Sequence, residues 1–147
     1  MKPLVLDASV AAKWFLPASD EPLIGEAQDL LDCSLRERIP FLVPDLFWAE
    51  LANVFWKAVA RNRITQEHAQ ASITKARELR LRVLPSFDLI EQALLIALAS
   101  DRPVYDSLYI AAAIANATQF LTADERLVNA TGARFPVRWL GAMTHLL

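Results

Sequence analysis

Short apolar segments that alternate with longer amphipathic ones limit how this chain can fold more than any other feature. We predict strands in five of them, at 3–7, 41–43, 83–86, 119–122 and 137–140. Helical patterns fill the stretches between, at 9–15, 22–36, 45–61, 65–82, 89–100, 106–117 and 124–130. Two aspartates, Asp45 and Asp88, are predicted to cap the helices that they begin. Strands that alternate with helices need right-handed crossovers, so the sequence predicts an α/β fold with a parallel sheet covered on both faces.

The length and the apolar content predict one globular unit. The chain has 147 residues, which matches one domain on the usual range of roughly 100–200 residues. Apolar residues make up 54% of it, enough for a large core, so we expect a single domain over 1–147. No apolar run reaches the roughly 18 residues of a membrane span. Asp7 also interrupts the N-terminal apolar run too early for a secretory signal. We therefore expect a soluble cytoplasmic protein with no membrane partner.

The scarcity of cysteine, histidine and glycine excludes several kinds of site. One cysteine cannot form a disulfide framework or a thiolate zinc cage, and two histidines argue against a histidine-rich metal site. The three glycines are too scattered for a phosphate-binding loop or a dinucleotide fingerprint. Any metal is therefore expected to be held by carboxylate oxygens, which are the ligands that Mg²⁺ and Mn²⁺ prefer.

Four acidic residues stand in apolar surroundings: Asp7, Glu50, Asp106 and Asp124. Asp7 ends the first predicted strand and Asp124 follows the fourth, so both are expected at the carboxyl edge of a parallel sheet, where ligands bind. Asp106 opens an apolar helix on the same side, and Glu50 lies among the apolar residues of a long helix. Carboxylates that converge repel one another unless a cation lies between them. They predict a site for one or two hard divalent cations that can bind phosphate oxygens and activate water.

A purely structural interpretation of these acids is the alternative. Asp106 and Asp124 have the positions of helix caps or of first-turn acids that favour the helix dipole. Asp7 could be a turn residue at a strand end. Glu50 could pair with Lys57, because both belong to a narrow polar stripe on one face of their helix.

Positive charge is concentrated in residues 57–82, which hold seven bases and two acids, whereas the rest of the chain holds eight bases and 15 acids. The segment has a net charge of +5 and the remainder −7, which give the −2 of the whole chain. One hypothesis is a phosphate-binding rim in which Arg77, Arg80 and Arg82 hold RNA, since arginine pairs with phosphate through two hydrogen bonds. The other is a solvated face of a helical hairpin.

Four motifs, in this order, resemble those of the PIN-domain ribonucleases, and specifically the VapC-like toxins of bacterial and archaeal toxin–antitoxin pairs. The first is Leu6-Asp7-Ala8-Ser9-Val10, followed by Lys13-Trp14-Phe15. The second runs from Pro44 to Glu50 and continues with Leu51-Ala52-Asn53-Val54. The third and fourth are Tyr105-Asp106-Ser107-Leu108-Tyr109-Ile110-Ala111 and Leu121-Thr122-Ala123-Asp124-Glu125-Arg126-Leu127. Together they cover essentially the whole chain, with no departure at an acidic position.

The resemblance implies a three-layer α/β/α PIN-like domain around a parallel sheet of about five strands. It also implies an endoribonuclease that needs Mg²⁺ or Mn²⁺, hydrolyses RNA phosphodiester bonds and leaves a 5′-phosphate. Carried over to this chain, it assigns catalysis and metal binding, directly or through water, to four residues: Asp7, Glu50, Asp106 and Asp124. Ser9 and Thr122 would hydrogen-bond within the acidic cluster. Asn53, one turn along from Glu50, would line the same pocket.

The resemblance further implies a homodimer and a cognate antitoxin that blocks the site. Trp48, Phe55 and Trp56 spread around one helix more widely than a core-facing stripe requires, which favours a partner on part of that surface. The alternative is that all three lie in the core. Two rival functions remain open: a non-catalytic partner-binding α/β domain, and a PIN-type nuclease that works in RNA processing or on DNA rather than as a toxin.

Overall fold

A computed structural model of the protein describes residues 2–145. Its five strands are β1 (Leu4–Leu6), β2 (Phe41–Pro44), β3 (Leu81–Leu84), β4 (Phe120–Thr122) and β5 (Val137–Trp139). All neighbouring strands run parallel, in the order β3-β2-β1-β4-β5. The predicted parallel sheet of about five strands is confirmed.

Seven α-helices connect and flank the strands: α1 (Ala8–Ala11), α2 (Ile24–Glu37), α3 (Leu46–Ala60), α4 (Gln66–Glu78), α5 (Ser86–Ser100), α6 (Val104–Ala115) and α7 (Glu125–Thr131). Short 3-10 turns lie at Ala12–Trp14, Ala18–Asp20 and Leu140–His145. The helices cover both faces of the sheet, so the predicted three-layer α/β/α fold is also confirmed. None of the helices within residues 2–145 combines the length and the hydrophobicity needed to cross a lipid bilayer.

β1 occupies the centre of the sheet because its side chains are apolar on both faces. Val5 and Leu6 are fully buried, as expected for a parallel strand covered by helices on each side. Leu6 pairs with Leu121 of β4, and the Asp7 backbone N–H donates to the Leu121 carbonyl at 3.0 Å. This pairing sets Asp7 beside Thr122, the residue that ends β4.

α6 is buried along most of its length and positions the acid in its first turn. Residues 107–113 are all buried, and the alanines among them let the helix approach the strands closely. Tyr109 stacks on Phe120 of β4 with the ring centroids 4.9 Å apart. Because α6 ends shortly before the amino end of β4, its first turn, which includes Asp106, lies toward the carboxyl edge of the sheet.

The segment between α4 and α5 differs from the sequence prediction. α4 ends at Glu78 rather than near Arg82, and the chain then pairs with β2 in register from Leu81 to Leu84. The basic residues of this segment have helical spacing, but helix propensity is a weak preference that the ladder of backbone hydrogen bonds overrides. α5 consequently begins at Ser86, three residues earlier than predicted.

Both predicted helix caps are wrong. Asp88 is the third residue of α5, and Asp45 makes no side-chain cap for α3. The Asp45 carboxylate instead accepts hydrogen bonds from the Ser86 hydroxyl and, at 3.0 Å, from the Ser86 backbone N–H, which lower the Asp45 pKa. Because β2 and β3 are adjacent in the sheet, Asp45, the residue after β2, reaches the first turn of α5. Its carboxylate therefore accepts hydrogen bonds from α5 and does not cap α3, the helix that it precedes.

Candidate active site

Asp7 is held at the end of β1 by two hydroxyl groups. Ser9 Oγ donates to Asp7 Oδ2 at 2.8 Å, and Thr122 Oγ1 donates to the same oxygen at 2.6 Å. Burial raises the pKa of Asp7 and the negative charge of Asp106 adds to the rise, whereas the two hydroxyls oppose it. A desolvated carboxylate near a second negative charge is costly to keep ionised, so a bound cation would stabilise it.

The orientation of both hydroxyls is fixed by backbone donors. The Ala123 N–H donates to Ser9 Oγ at 3.2 Å, and the Asp124 N–H donates to Thr122 Oγ1 at 3.0 Å. A hydroxyl carries one proton, so an oxygen that accepts from the backbone keeps that proton for Asp7. The structure thus brings the two predicted supporting residues, Ser9 and Thr122, onto the predicted central acid.

Glu50 faces the same region from α3 and is held by a tyrosine. Tyr109 Oη donates to Glu50 Oε1 at 2.6 Å. Burial raises the pKa of Glu50 to about 6, with the charges of Asp7 and Asp106 adding to the rise and the tyrosine hydrogen bond opposing it. Burial likewise raises the pKa of Tyr109, helped by the charges of Asp7 and Glu50, so the phenol stays a proton donor.

Asp106 lies in the first turn of α6 and contacts an arginine. Arg102 Nη2 lies 3.5 Å from Asp106 Oδ2. Burial raises the pKa of Asp106, Arg102 opposes the rise, and the negative charge of Asp124 adds to it. Sequence reasoning missed both Arg102 and Tyr109. The signal was present, since the two lie four residues before and three residues after Asp106 and therefore share its helix face.

Asp124 is a helix cap and also lies near Asp106, so it has a feature of each of the two roles that the sequence left open, helix cap and metal ligand. It is an N-cap, because its carboxylate accepts from the Leu127 backbone N–H at 3.2 Å at the start of α7. It is also close enough to Asp106 for its charge to raise that pKa. The capping role is thus observed, and the metal-ligand role stays a prediction.

The remaining predicted residues are exposed at the surface. Asn53 is exposed on α3, one turn after Glu50. Arg77 lines a hollow with Trp48 on the α3–α4 surface, and Arg80 and Arg82 are exposed at β3, which β2 separates from β1. The contact of these arginines with RNA stays a prediction.

The carboxylate set fits a hard divalent cation in its chemistry and its charge. The negative charge of Asp106 raises the pKa values of Asp7 and Glu50, and that of Asp124 raises the pKa of Asp106. All four residues offer oxygen ligands, which Mg²⁺ and Mn²⁺ prefer. Across residues 2–145, no three Asp, Glu, His or Cys side chains stand close enough together to hold one ion directly. Mg²⁺ usually keeps several of its waters, so carboxylates that stand too far apart to bind one ion directly can still hold it partly through those waters.

A comparison with protein families identifies the chain. The sequence model of the PIN domain matches residues 4–133, a span that contains all four carboxylates and both hydroxyls. The chain belongs to the PIN-domain family. Proteins of this family are generally nucleases. No curated protein sequence matches the chain significantly.

Solved structures share this PIN fold at low sequence identity. PAE2754 from Pyrobaculum aerophilum is 17% identical, with a TM-score of 0.71 over 99% of this chain and 88% of its own. VapC20 from Mycobacterium tuberculosis, a toxin that cleaves the sarcin–ricin loop, is 17% identical, with a TM-score of 0.64 over 90% and 95%. VapBC2 from Rickettsia felis, bound to a DNA fragment from its promoter, is 14% identical, with a TM-score of 0.62 over 92% and 97%. At these identities the likeness establishes the fold alone.

Proposed function

We propose that this PIN domain is the toxin of a toxin–antitoxin pair and acts as an endoribonuclease that depends on Mg²⁺ or Mn²⁺. The observation that carries the proposal is the group of carboxylates around Asp7 at the carboxyl edge of the sheet, in which the charge of Asp106 raises the pKa values of Asp7 and Glu50. The charge of Asp124 in turn raises the pKa of Asp106. The fold that this chain shares with VapC20, described as a toxin that cleaves the sarcin–ricin loop, supports RNA as the substrate class.

In this proposal the chain's own residues have three roles. Four carboxylates would hold the cation, directly or through water: Asp7, Glu50, Asp106 and Asp124. Ser9 and Thr122 orient the Asp7 carboxylate, and Asn53 lines the pocket beside Glu50. When bound, such a cation supplies Lewis-acid stabilisation of phosphate oxygens and an activated water near neutral pH. Tyr109 keeps Glu50 in place and keeps its own proton.

An antitoxin is the second partner that we propose, in the groove between α3 and α4. The groove has a volume of about 560 Å³, and its lining includes Phe55, Trp56 and Ile73. Phe55 is buried, Trp48 is half-buried and Trp56 is 64% exposed, so one of the three aromatic residues singled out in the sequence is free to contact a partner. An amphipathic helix fits such a groove. Structures of similar fold include toxin–antitoxin assemblies from Rickettsia felis and Klebsiella pneumoniae. A single domain over 1–147 in the cytoplasm is part of the same proposal.

Thermal melting tests the metal site without knowledge of the substrate. We expect Mn²⁺ or Mg²⁺ to raise the melting temperature of the wild type, since a ligand at about 100 times its Kd stabilises a protein by roughly 2.7 kcal/mol. The Asp106→Asn variant should lose most of this response and should melt above the wild type in chelator, because one of the repelling charges is gone. Asp88→Asn removes an exposed acid of α5 and should respond like the wild type.

RNA cleavage then tests the activity. Asp7→Asn, Glu50→Gln and Asp106→Asn are each expected to abolish cleavage of total RNA while keeping the fold, as measured by circular dichroism. Wild-type cleavage by any one of the three would contradict the site assignment. If neither the wild type nor Asp106→Asn responds to metal, the α3–α4 groove favours the non-catalytic partner-binding function instead.

A further inference from the structure

A cavity opens directly beside the carboxylates, and basic side chains also line it. Its volume is about 340 Å³. Ser9 and Asp124 form the wall that it shares with the acidic centre. Its wall also carries four basic side chains: Lys13, Lys57, Arg61 and Arg63. Apart from Asp124, Glu21 is the one acid among the lining residues, so bases outnumber acids by four to two.

Two of these bases, Lys13 and Arg63, are already paired with carboxylates, and these ion pairs stiffen the wall. Glu21 accepts from Lys13 Nζ at 3.1 Å and from Arg63 Nη2 at 2.7 Å. Lys13 and Glu21 are both largely buried, with 6% and 13% of their side-chain surface exposed. A base held by a buried carboxylate has little charge to offer to a ligand. The ion pairs therefore shape this wall instead of supplying its binding charge.

The other two bases are exposed and carry uncompensated charge. In the part of the chain that the structure describes, no carboxylate lies within 4 Å of Lys57 or Arg61. The two are four residues apart at the end of α3, so they project from one face of that helix. Glu50 lies on the same helix, seven residues before Lys57, which is about 10 Å along the axis at 1.5 Å per residue.

An acidic centre beside an unpaired basic pair fits a polyanion that must approach a cation site. A cation held by the carboxylates would bind one phosphate, whereas the carboxylates themselves would repel the neighbouring phosphates of the same strand. Two free positive charges on the adjacent wall offset that repulsion. Arginine can bind phosphate through two hydrogen bonds, and lysine supplies a mobile point charge.

We propose that this cavity receives the nucleotide next to the scissile phosphate of an RNA strand, with Lys57 and Arg61 binding the phosphate of that nucleotide. We call it the flanking-phosphate pocket. The inference rests on the proposed function, because it assumes that RNA is the polyanion. It assigns substrate positioning to two residues, Lys57 and Arg61, that lie outside the carboxylate centre.

The salt dependence of RNA binding tests the pocket. A labelled single-stranded RNA of mixed sequence is titrated with protein in chelator at several salt concentrations, so that binding is measured without cleavage. Each phosphate contact contributes about −0.7 to the slope of log K against log salt for single strands. The double variant Lys57→Gln/Arg61→Gln should therefore have a slope smaller in magnitude by about 1.4 than the wild type. Both residues are exposed, so its melting temperature should be unchanged.

A matched pair on the other side of the molecule is the control. Lys2 and Arg36 are exposed and precede the amino ends of β1 and β2, opposite the carboxyl edge. Lys2→Gln/Arg36→Gln removes the same charge and should keep the wild-type slope. Equal slopes for the pocket variant and this control would overturn the proposal, as would a wild type that does not bind the RNA. The triple variant Arg77→Gln/Arg80→Gln/Arg82→Gln in the same titration measures how much the other basic group contributes to the slope.

Cleavage assays separate failure of the pocket from failure of the proposed function. If the wild type cleaves RNA and the pocket variant binds with the wild-type slope, the pocket is wrong and the ribonuclease stands. If the pocket variant loses slope but the wild type cleaves no RNA in Mn²⁺, the pocket binds RNA and the proposed activity is wrong. In an active enzyme, the pocket variant should raise KM for RNA more than it lowers kcat.

Discussion

At the scale of one residue, the hydrogen bonds around Asp7 fix the orientation of a buried carboxylate. Its neighbours Ser9 and Thr122 donate to it, and each of these hydroxyls is itself held by a backbone N–H. These bonds favour the ionised form of Asp7, but burial outweighs them and raises its pKa. The two hydroxyls therefore orient the carboxylate but do not offset the cost of burying its charge, which a bound cation would reduce.

Glu50 gives the site a pH dependence whose sign can be predicted. Its pKa is about 6 in the folded protein and 4.5 when unperturbed, so folding favours the protonated form. The ionised Glu50 carboxylate therefore lowers the free energy of unfolding. This penalty is absent below about pH 4.5, grows as the pH rises from 4.5 to about 6, and is complete above that pH. We expect Glu50→Gln in chelator to melt above the wild type at pH 7, and the difference to shrink toward pH 4.5.

A control for this measurement comes from another helix. Glu91→Gln removes an exposed acid of α5 and should follow the wild type at every pH. The glutamine at position 50 can still accept the hydrogen bond of Tyr109, so the comparison isolates the charge. A Glu50→Gln variant that melts below the wild type at pH 7 would show that Glu50 stabilises the metal-free fold, contrary to the prediction.

At the scale of elements, an ion-pair network connects three separate parts of the chain. Lys13 follows α1, Glu21 precedes α2, and Arg63 lies between α3 and α4. Burial alone would raise the pKa of Glu21, but the hydrogen bonds and charges of Arg63 and Lys13 lower it. The network therefore contributes stability above the unperturbed pKa of 4.5, and that stability is lost as the pH falls through the lower folded pKa.

Removal of Glu21 should be costly because it leaves a buried lysine without a partner. We expect Glu21→Gln to lower the free energy of unfolding by about 2 kcal/mol at pH 7 in urea titrations. The deficit should shrink when the titration is repeated below pH 4.5. Asp20→Asn is the control, since Asp20 is half-exposed and lies 3.9 Å from Arg63; an exposed contact of this kind contributes at most about 1 kcal/mol. Equal losses from the two variants would contradict the network.

At the scale of the whole molecule, β3 and α5 leave an apolar surface uncovered. Phe87, Leu95 and Leu98 are 90%, 68% and 72% exposed, and Ile90 and Leu94 lie on the same helix. A soluble monomer rarely exposes so many large apolar side chains together. We propose that a second copy of the chain covers this surface, which gives the homodimer predicted from the family resemblance a location.

One charge placed in this surface should separate the two copies. We expect the wild type to be a dimer by light scattering at micromolar concentration and Leu95→Glu to be a folded monomer. Gln92→Glu adds the same charge to the same helix at an exposed polar position and should remain a dimer. A monomeric wild type, or a dimeric Leu95→Glu, would contradict this interface.

Local sequence patterns predict most of the strands, the helices and the positions of the acidic residues. The side-chain contacts between distant elements depend on long-range packing and could not be predicted. Asp7 and Asp124 could be placed at one edge because apolar strands end beside them, and Glu50 stood out because its helix is otherwise apolar. The Tyr109–Glu50 bond could not be predicted, since it depends on how α6 packs against α3 across 59 positions of sequence. The start of β3 was misjudged for the same reason, because pairing with β2 decides it.

The order of the sheet has a consequence for how the protein is made. β1 pairs with β2 on one side and with β4 on the other, and Thr122 holds Asp7 although 115 positions separate them in the chain. A ribosome releases the N-terminal part first, so Asp7 and Glu50 emerge long before β4 exists. The acidic centre of a nascent chain is incomplete until β4 has been synthesised, because the strand that flanks Asp7 on that side is missing until then. The topology of the fold thus delays completion of the acidic centre until β4 has been made.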